Sequence, residues 1–295
     1  MPWLQLRINT SRAQAERIEN LLLEAGAASV TFEDNADEPI LEPALGETPL
    51  WGLTRVTGLF DAETDTEATD QTLEDKLGQS LPDHRWEQLE DKDWEREWMK
   101  HYQPIQCGER LWICPSWLAP PEPECVNLLL DPGLAFGTGT HPTTFLCLQW
   151  LDHLALEGKT VTDYGCGSGI LAIASLLLGA DSTICVDIDP QALSATTDNA
   201  QRNGLSEDQT PVYLPDKAPE IPTDVMIANI LAGPLVSLAP KLASLTKPGG
   251  RLCLSGIIES QAEEVMTSYQ PWFDFDPPAS SEQWVRLTAV KRRAC

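Results

Sequence analysis

The stretch VTDYGCGSGILAIA, Val161 to Ala174, restricts the fold more than any other part of the chain. A strand-like run ends at Tyr164, glycines follow at 165, 167 and 169, and an apolar helix-like run begins. A strand that turns through glycines into a helix belongs to an open α/β sheet, whose ligands sit at the carboxyl ends of the strands. Glycines let the backbone approach a ligand, and the helix start offers free N–H donors. Dinucleotide sites favour G-x-G-x-x-G, whereas this turn reads G-x-G-x-G with Asp163 two residues ahead of it.

The surrounding residues repeat the same alternation. TTFLCLQWLDHLAL reads as a helix, KTVTDYG as a strand, SGILAIASLLLGA as a helix and STICVDID as a strand. PQALSATTDNAQRNG, TDVMIANI, LVSLAPKLASLTKPGG with its Pro-Gly-Gly turn, and RLCLSGI continue the pattern. This order predicts parallel strands with helices on both faces. WFDFDP and EQWVRLTAVKR predict an antiparallel hairpin closing the sheet edge.

Two further polar residues fall at strand ends. Asp187, in CVDIDP, lies 22 residues after Gly165 at the end of the next strand, where a carboxylate accepts ribose hydroxyls. Its neighbour Asp189 precedes Pro190 and suits a helix cap. Asn229 ends the strand in DVMIANILAGPL, and its side-chain oxygen can accept from an incoming amine and orient the nitrogen lone pair.

DPGLAFGTGTHPTT, Asp131 to Thr144, is crowded with three glycines, four threonines and a histidine. His141 has two open roles, general base or structural hydrogen-bonder, and the Pro142 that follows suits a helix start. Phe136 suits either a wall near a reacting group or an ordinary loop anchor.

The first ninety residues differ. WLQLRIN, SRAQAERIENLLLEAGA with Ser11 as its cap, SVTFED, WGLTRVTGLF, TDTEATDQTLEDKLGQS and RWEQLE read β-α-β-β-α-β, the order of a ferredoxin-like sandwich. Nothing there has catalytic spacing, and residues 1–80 hold 5 basic against 16 acidic side chains, which suits recognition rather than chemistry. EDKDWEREWMKHY predicts a connecting helix with Trp94 and Trp98 on one face. RLWICPSW and VNLLLDPG read as paired strands. The predicted organisation is a recognition domain over 1–90, a linker helix over 91–107 and a catalytic domain over 108–295.

The formal charge of −25 opposes binding to nucleic-acid phosphates or anionic membranes and favours basic partners, besides maintaining solubility. Eight cysteines without a CxxC pair argue against a disulfide framework or structural zinc, and no metal is expected. No signal peptide and no run of about twenty apolar residues is visible, so a cytoplasmic location is expected.

Taken together, DYGCGSGILAIA, VDIDP, ANILAGPL and KPGGRLCLSGI resemble class I S-adenosylmethionine-dependent methyltransferases. LEDKDWEREWM, ERLWICPSW and DPGLAFGTGTHPTT narrow the resemblance to the bacterial ribosomal protein L11 methyltransferase (PrmA) family, across essentially the whole chain. The resemblance implies an α/β fold: a Rossmann-like methyltransferase domain with an antiparallel last strand, preceded by a small ferredoxin-like α+β domain. It implies methyl transfer from S-adenosyl-L-methionine to lysine or N-terminal α-amino groups of the basic ribosomal protein L11, which the N-terminal domain grips. It carries cofactor contacts to Thr144, Gly165, Asp187 and Asn229, with Gly167 of the same turn expected beside them; the residues themselves offer Asn229, Phe136 and His141 as catalytic candidates.

Three rivals are weighed against it. Relatives that methylate glutamine usually carry N-P-P-[YF] where this chain has Asn229-Ile230-Leu231. A nicotinamide oxidoreductase lacks support in the glycine spacing. A non-catalytic adaptor is hard to reconcile with the glycine turn, Asp187 and Asn229 together.

Overall fold

The computed structural model describes residues 3–36, 50–89, 102–131, 137 and 139–293. The chain divides into two compact units, Met1–Met99 and Lys100–Cys295.

In the first unit, β1 (Trp3–Ser11), α1 (Arg12–Glu24), β2 (Ser29–Asp34), β3 (Leu53–Asp61), α2 (Thr66–Leu77) and β4 (His84–Leu89) follow the predicted order. The sheet runs β2-β3-β1-β4 and every pairing in it is antiparallel. Leu6 and Ile8 alternate onto one face of β1, and Ala15, Ile18 and Leu22 recur at helical spacing on α1, so the two stripes close on Val56 and Phe60. Ser11 stands at the N-cap position of α1 but makes no side-chain cap bond. At α2 the cap is Asp65, which accepts from the Ala68 N–H at 3.1 Å, and Gly78 ends the helix in the left-handed conformation.

The second unit opens with a small sheet of β5 (Ile105–Gln106), β6 (Leu111–Cys114) and β7 (Val126–Leu129), with β6 and β7 parallel. Residues 105–106, expected in the linker helix, are therefore a strand, paired to β6 at Ile113 and Trp112. Most of that expected helix, with Trp94 and Trp98, lies outside the described residues.

The large sheet carries β8 (Thr160–Tyr164), β9 (Ser182–Val186), β10 (Val212–Tyr213), β11 (Thr223–Asn229), β12 (Thr246–Ile258), β13 (Phe273–Phe275), β14 (Ala279–Ser281) and β15 (Trp284–Lys291). Its order is β10-β9-β8-β11-β12-β15-β13, with β14 also on β15. The strands are parallel from β10 to β12, and β15 enters antiparallel between β12 and β13. The helices are α3 (Pro142–Asp152), α4 (Ile170–Leu177), α5 (Pro190–Arg202), α6 (Ala232–Ser244) and α7 (Ala262–Tyr269).

Both faces of this sheet are covered, so its central strands bury apolar side chains on both sides. Along β11, Val225 and Ile227 pack with Cys147, Leu148 and Ile173 on one side. Met226 and Ala228 pack with Leu235, Leu242 and Tyr269 on the other. The chain leaves β8 toward β9 and β10, then returns to build β11 and β12 on the opposite side. This reversal puts the topological switch point between β8 and β11, whose carboxyl ends are the expected ligand position.

The Lys247-Pro248-Gly249-Gly250 segment, expected as a turn, lies within β12. There the register with β11 jumps from Thr223↔Thr246 to Val225↔Arg251. The extra residues bulge out opposite Asp224.

Candidate functional site

The glycine turn is held from three directions. Gly165 and Cys166 donate their N–H groups to the Val186 carbonyl at 2.7 and 3.1 Å, joining the turn to the end of β9. From α5, Thr196 donates to the Gly167 carbonyl at 3.1 Å and Asn199 to the Ser168 carbonyl at 2.8 Å. The Ser168 hydroxyl donates to the Gly137 carbonyl at 2.6 Å, which brings the middle of the Asp131–Thr144 stretch onto the turn. At 139 φ is 83°, which favours glycine, and a Cβ there would meet the side-chain ends of Ile113 and Ile170, so this stretch packs closely against β6 and α4.

Gly165, Gly167 and Gly169 all have positive φ, at 83°, 55° and 78°. A Cβ at Gly165 would lie 2.2 Å from Cγ2 of Ile230, and one at Gly256 would lie 2.5 Å from the Ile230 carbonyl oxygen. Ile230 is thus wedged between two positions without side chains, and its N–H donates to the Ser255 carbonyl at 3.2 Å. The residue before it is Asn229.

Asp187 sits beside the turn, as its spacing predicts. One carboxylate oxygen accepts from Gly167 N–H at 2.9 Å and the other from Asp189 N–H at 3.0 Å. Each oxygen keeps acceptor capacity for a further donor. Asp189 caps α5 through Gln191 N–H at 2.9 Å. Ile188 between them is 82% exposed, an apolar surface at the rim that pattern reading passed over. An apolar residue directly after the strand-end carboxylate was the available signal.

Asn229 and Thr144 meet across 85 residues of sequence. The Asn229 amide donates to the Thr144 hydroxyl oxygen at 3.2 Å, and Thr144 is fully buried on the first turn of α3. Asn229 Oδ1 is buried and has no hydrogen-bond partner among the described residues. An unpaired buried carbonyl costs about 1–3 kcal/mol. Such a group fits an acceptor kept for a ligand N–H.

His141 caps α3, its ring nitrogen Nδ1 lying 2.7 Å from the Thr143 hydroxyl and accepting from Thr143 N–H at 3.4 Å. Its ring packs edge-on against Trp284 at 4.8 Å, and burial holds its pKa below the ordinary value against the opposing charge of Glu282. Of its two open roles, the observed contacts are those of a structural cap. Arg286 fixes the same helix by donating to the Leu146 carbonyl at 2.7 Å. Phe136 lies outside the described residues.

Asp163 was visible in the sequence only as the acid ahead of the glycines. It is fully buried, accepts from Ala172 N–H at 3.1 Å, and leaves Oδ1 without a partner among the described residues. Burial pushes its carboxyl up to about 7 from 3.8, against the Ala172 hydrogen bond and with the added charge of Asp187. The folded chain therefore retains a proton that the unfolded chain releases. This group's contribution to stability is full below about 3.8 and lost as pH rises to about 7. Asp163→Asn is expected to flatten the loss of thermal midpoint between about pH 4 and pH 7 relative to the parent. Parallel profiles for the two proteins would show that Asp163 does not titrate in this window.

The model of the family described as ribosomal protein L11 methyltransferase (PrmA) matches residues 2–292. The ribosomal protein L11 methyltransferase of Cellvibrio japonicus is 65% identical over 294 residues, covering 100% of both chains. That of Teredinibacter turnerae is 61% identical over 292 residues, 99% of this chain and 98% of the relative. The crystal structure of a ribosomal protein L11 methylase from Lactobacillus delbrueckii subsp. bulgaricus matches with a TM-score of 0.57 at 31% identity, covering 65% of this chain and all of that one.

Proposed function

From the premise that the chain belongs to the ribosomal protein L11 methyltransferase family, we propose that it transfers methyl groups from S-adenosyl-L-methionine to amines of ribosomal protein L11. The observation that carries the reading is the unpartnered Oδ1 of Asn229, fixed by Thr144 at the carboxyl edge of β11.

The residues present fit the cofactor. Asp187 retains acceptor capacity for ribose hydroxyls, Ile188 supplies an exposed apolar face for a base, and Gly165 and Gly167 leave the turn without side chains. When bound, the cofactor supplies an electrophilic methyl group on a sulfonium.

The chain's own work is to accept a neutral amine. A free lysine has a pKa of about 10.4 and an α-amino group about 8, so the target must lose a proton. Leaving water for a closed site disfavours the ammonium form. Asn229 Oδ1 accepts one N–H of the amine and so directs the nitrogen lone pair away from itself. Positioning of this kind accounts for large rate gains without a dedicated base.

The first unit serves to hold the substrate. Its acidic composition, 5 basic against 16 acidic side chains over residues 1–80, suits a basic protein. A cytoplasmic site of action follows from that substrate, and no helix among the described residues is long and apolar enough to cross a membrane.

The test is to incubate the protein with methyl-labelled cofactor and L11 purified from cells lacking this methylation. Label in L11, mapped by mass spectrometry to lysine or α-amino nitrogens, is expected. Label confined to small molecules, or none, would overturn the assignment.

A further inference from the structure

At the opposite edge of the large sheet, the amino ends of β8, β11 and β12 and the end of β15 surround a cavity of about 290 Å³. Lys159, Lys247, Arg251 and Arg293 line it, and Asp224 is its single carboxylate among the described residues. Four cations to one anion is an inversion of local charge in a chain of net charge −25.

Asp224 is already committed. Its Oδ2 accepts from Lys247 at 2.8 Å and from the N–H and hydroxyl of Thr160 at 3.0 and 2.9 Å. Burial raises its pKa, but Lys247 and Thr160 outweigh burial and hold it at about 2. Lys159, Arg251 and Arg293 make no side-chain hydrogen bond or ion pair among the described residues. Arg251 is half-buried, and the Arg293 guanidinium lies over Gly249, whose Cβ would stand 3.2 Å from Nε. The Lys247–Gly250 bulge sets Lys247 against Asp224 and leaves the two arginines facing the cavity.

Unpaired guanidinium groups grouped around a concavity match the oxygens of a phosphoryl group, which they bind through paired N–H donors. The volume is at the small end of ligand sites, about 300–1,000 Å³. We propose that this cavity binds a small phosphoryl-bearing anion, distinct from the methyl-transfer site at the other edge of the sheet. A nucleic-acid strand is the less suitable source of that phosphate. Its length would bring further phosphates against a surface that is acidic overall.

The probe is inorganic pyrophosphate, titrated calorimetrically into the full chain with S-adenosylmethionine in excess. Saturable binding at one site is expected. Arg251→Gln and Arg293→Gln are each expected to weaken it about tenfold, the loss of one charge-assisted contact. The exposed Lys159→Gln is expected to weaken it less, and it provides a variant with little effect on packing. All three are expected to keep the parent's thermal midpoint. Absence of saturable binding at millimolar pyrophosphate would overturn the proposal. So would affinity unchanged in the Arg251→Gln, Arg293→Gln double variant. RNA oligonucleotides binding more tightly than pyrophosphate, with affinity rising with length, would also overturn it in favour of a nucleic-acid surface.

Discussion

Asn229→Ala is expected to lower kcat for methylation of L11 by about 100-fold, the loss that follows from misplacing a reacting group by about 1 Å. Stability should not fall with activity. The alanine removes a buried carbonyl that pairs with nothing among the described residues, a group costing about 1–3 kcal/mol, against the loss of the amide's hydrogen bond to Thr144, worth about 0.5–1.5 kcal/mol. The thermal midpoint is therefore expected to stay level or rise, the signature of a residue kept for function at some expense of stability. Thr144→Val separates fixing from accepting. It keeps the buried shape but takes away the oxygen that holds the Asn229 amide, and a smaller fall in kcat is expected. Steady-state kinetics on L11 with calorimetry of cofactor binding gives the answer. Full turnover by Asn229→Ala with normal cofactor affinity would remove the role assigned to that residue.

Gly165→Ala should abolish cofactor binding at concentrations that saturate the parent, an effect of at least about 100-fold on Kd. Two costs coincide there. The backbone has a φ of 83°, and left-handed conformation costs a residue with a Cβ about 1–2 kcal/mol. The new methyl would also lie 2.2 Å from Cγ2 of Ile230, so the strand-end turn behind Asn229 must move. Gly204 provides the comparison, since its φ is 72° but nothing stands within 4 Å of a Cβ built on it. Gly204→Ala is expected to carry the backbone cost alone, losing some stability and retaining the cofactor. Equal cofactor affinity in Gly165→Ala and the parent, measured by calorimetry, would show that the turn is not the cofactor's seat.

The relation between sequence and site differs from residue to residue. The placement of Gly165, Gly167 and Asp187 was legible because each is local to one strand end, and the contact between Gly167 and Asp187 follows from the pairing of β8 with β9. The alternation of strands and helices was legible for the same reason, since each element's pattern is set by its own burial. Ser11 shows the limit of local reading: it occupies the cap position of α1 while its side chain caps nothing. The Thr144–Asn229 contact joins residues 85 apart, and nothing in either neighbourhood encodes the other. Asp163 was seen as part of a motif, but its raised pKa arises from complete burial, which depends on packing by the whole second unit. The Lys-Pro-Gly-Gly run reads as a turn by composition. Only pairing with β11 reveals it as a bulge that leaves β12 intact.

The wedging of Ile230 between Gly165 and Gly256 has an evolutionary consequence. Three positions far apart in the chain share one steric allowance, and the backbone that carries Asn229 runs through the middle of it. Enlargement at 256 cannot be absorbed by repacking of side chains, because there the obstruction is the Ile230 main chain itself, whereas at 165 it is the Ile230 side chain. A side chain at 165 is therefore expected only with a smaller residue at 230, and none is expected at 256. A library randomising 165, 230 and 256 together should return active variants that keep glycine at 256 and vary mainly at 230.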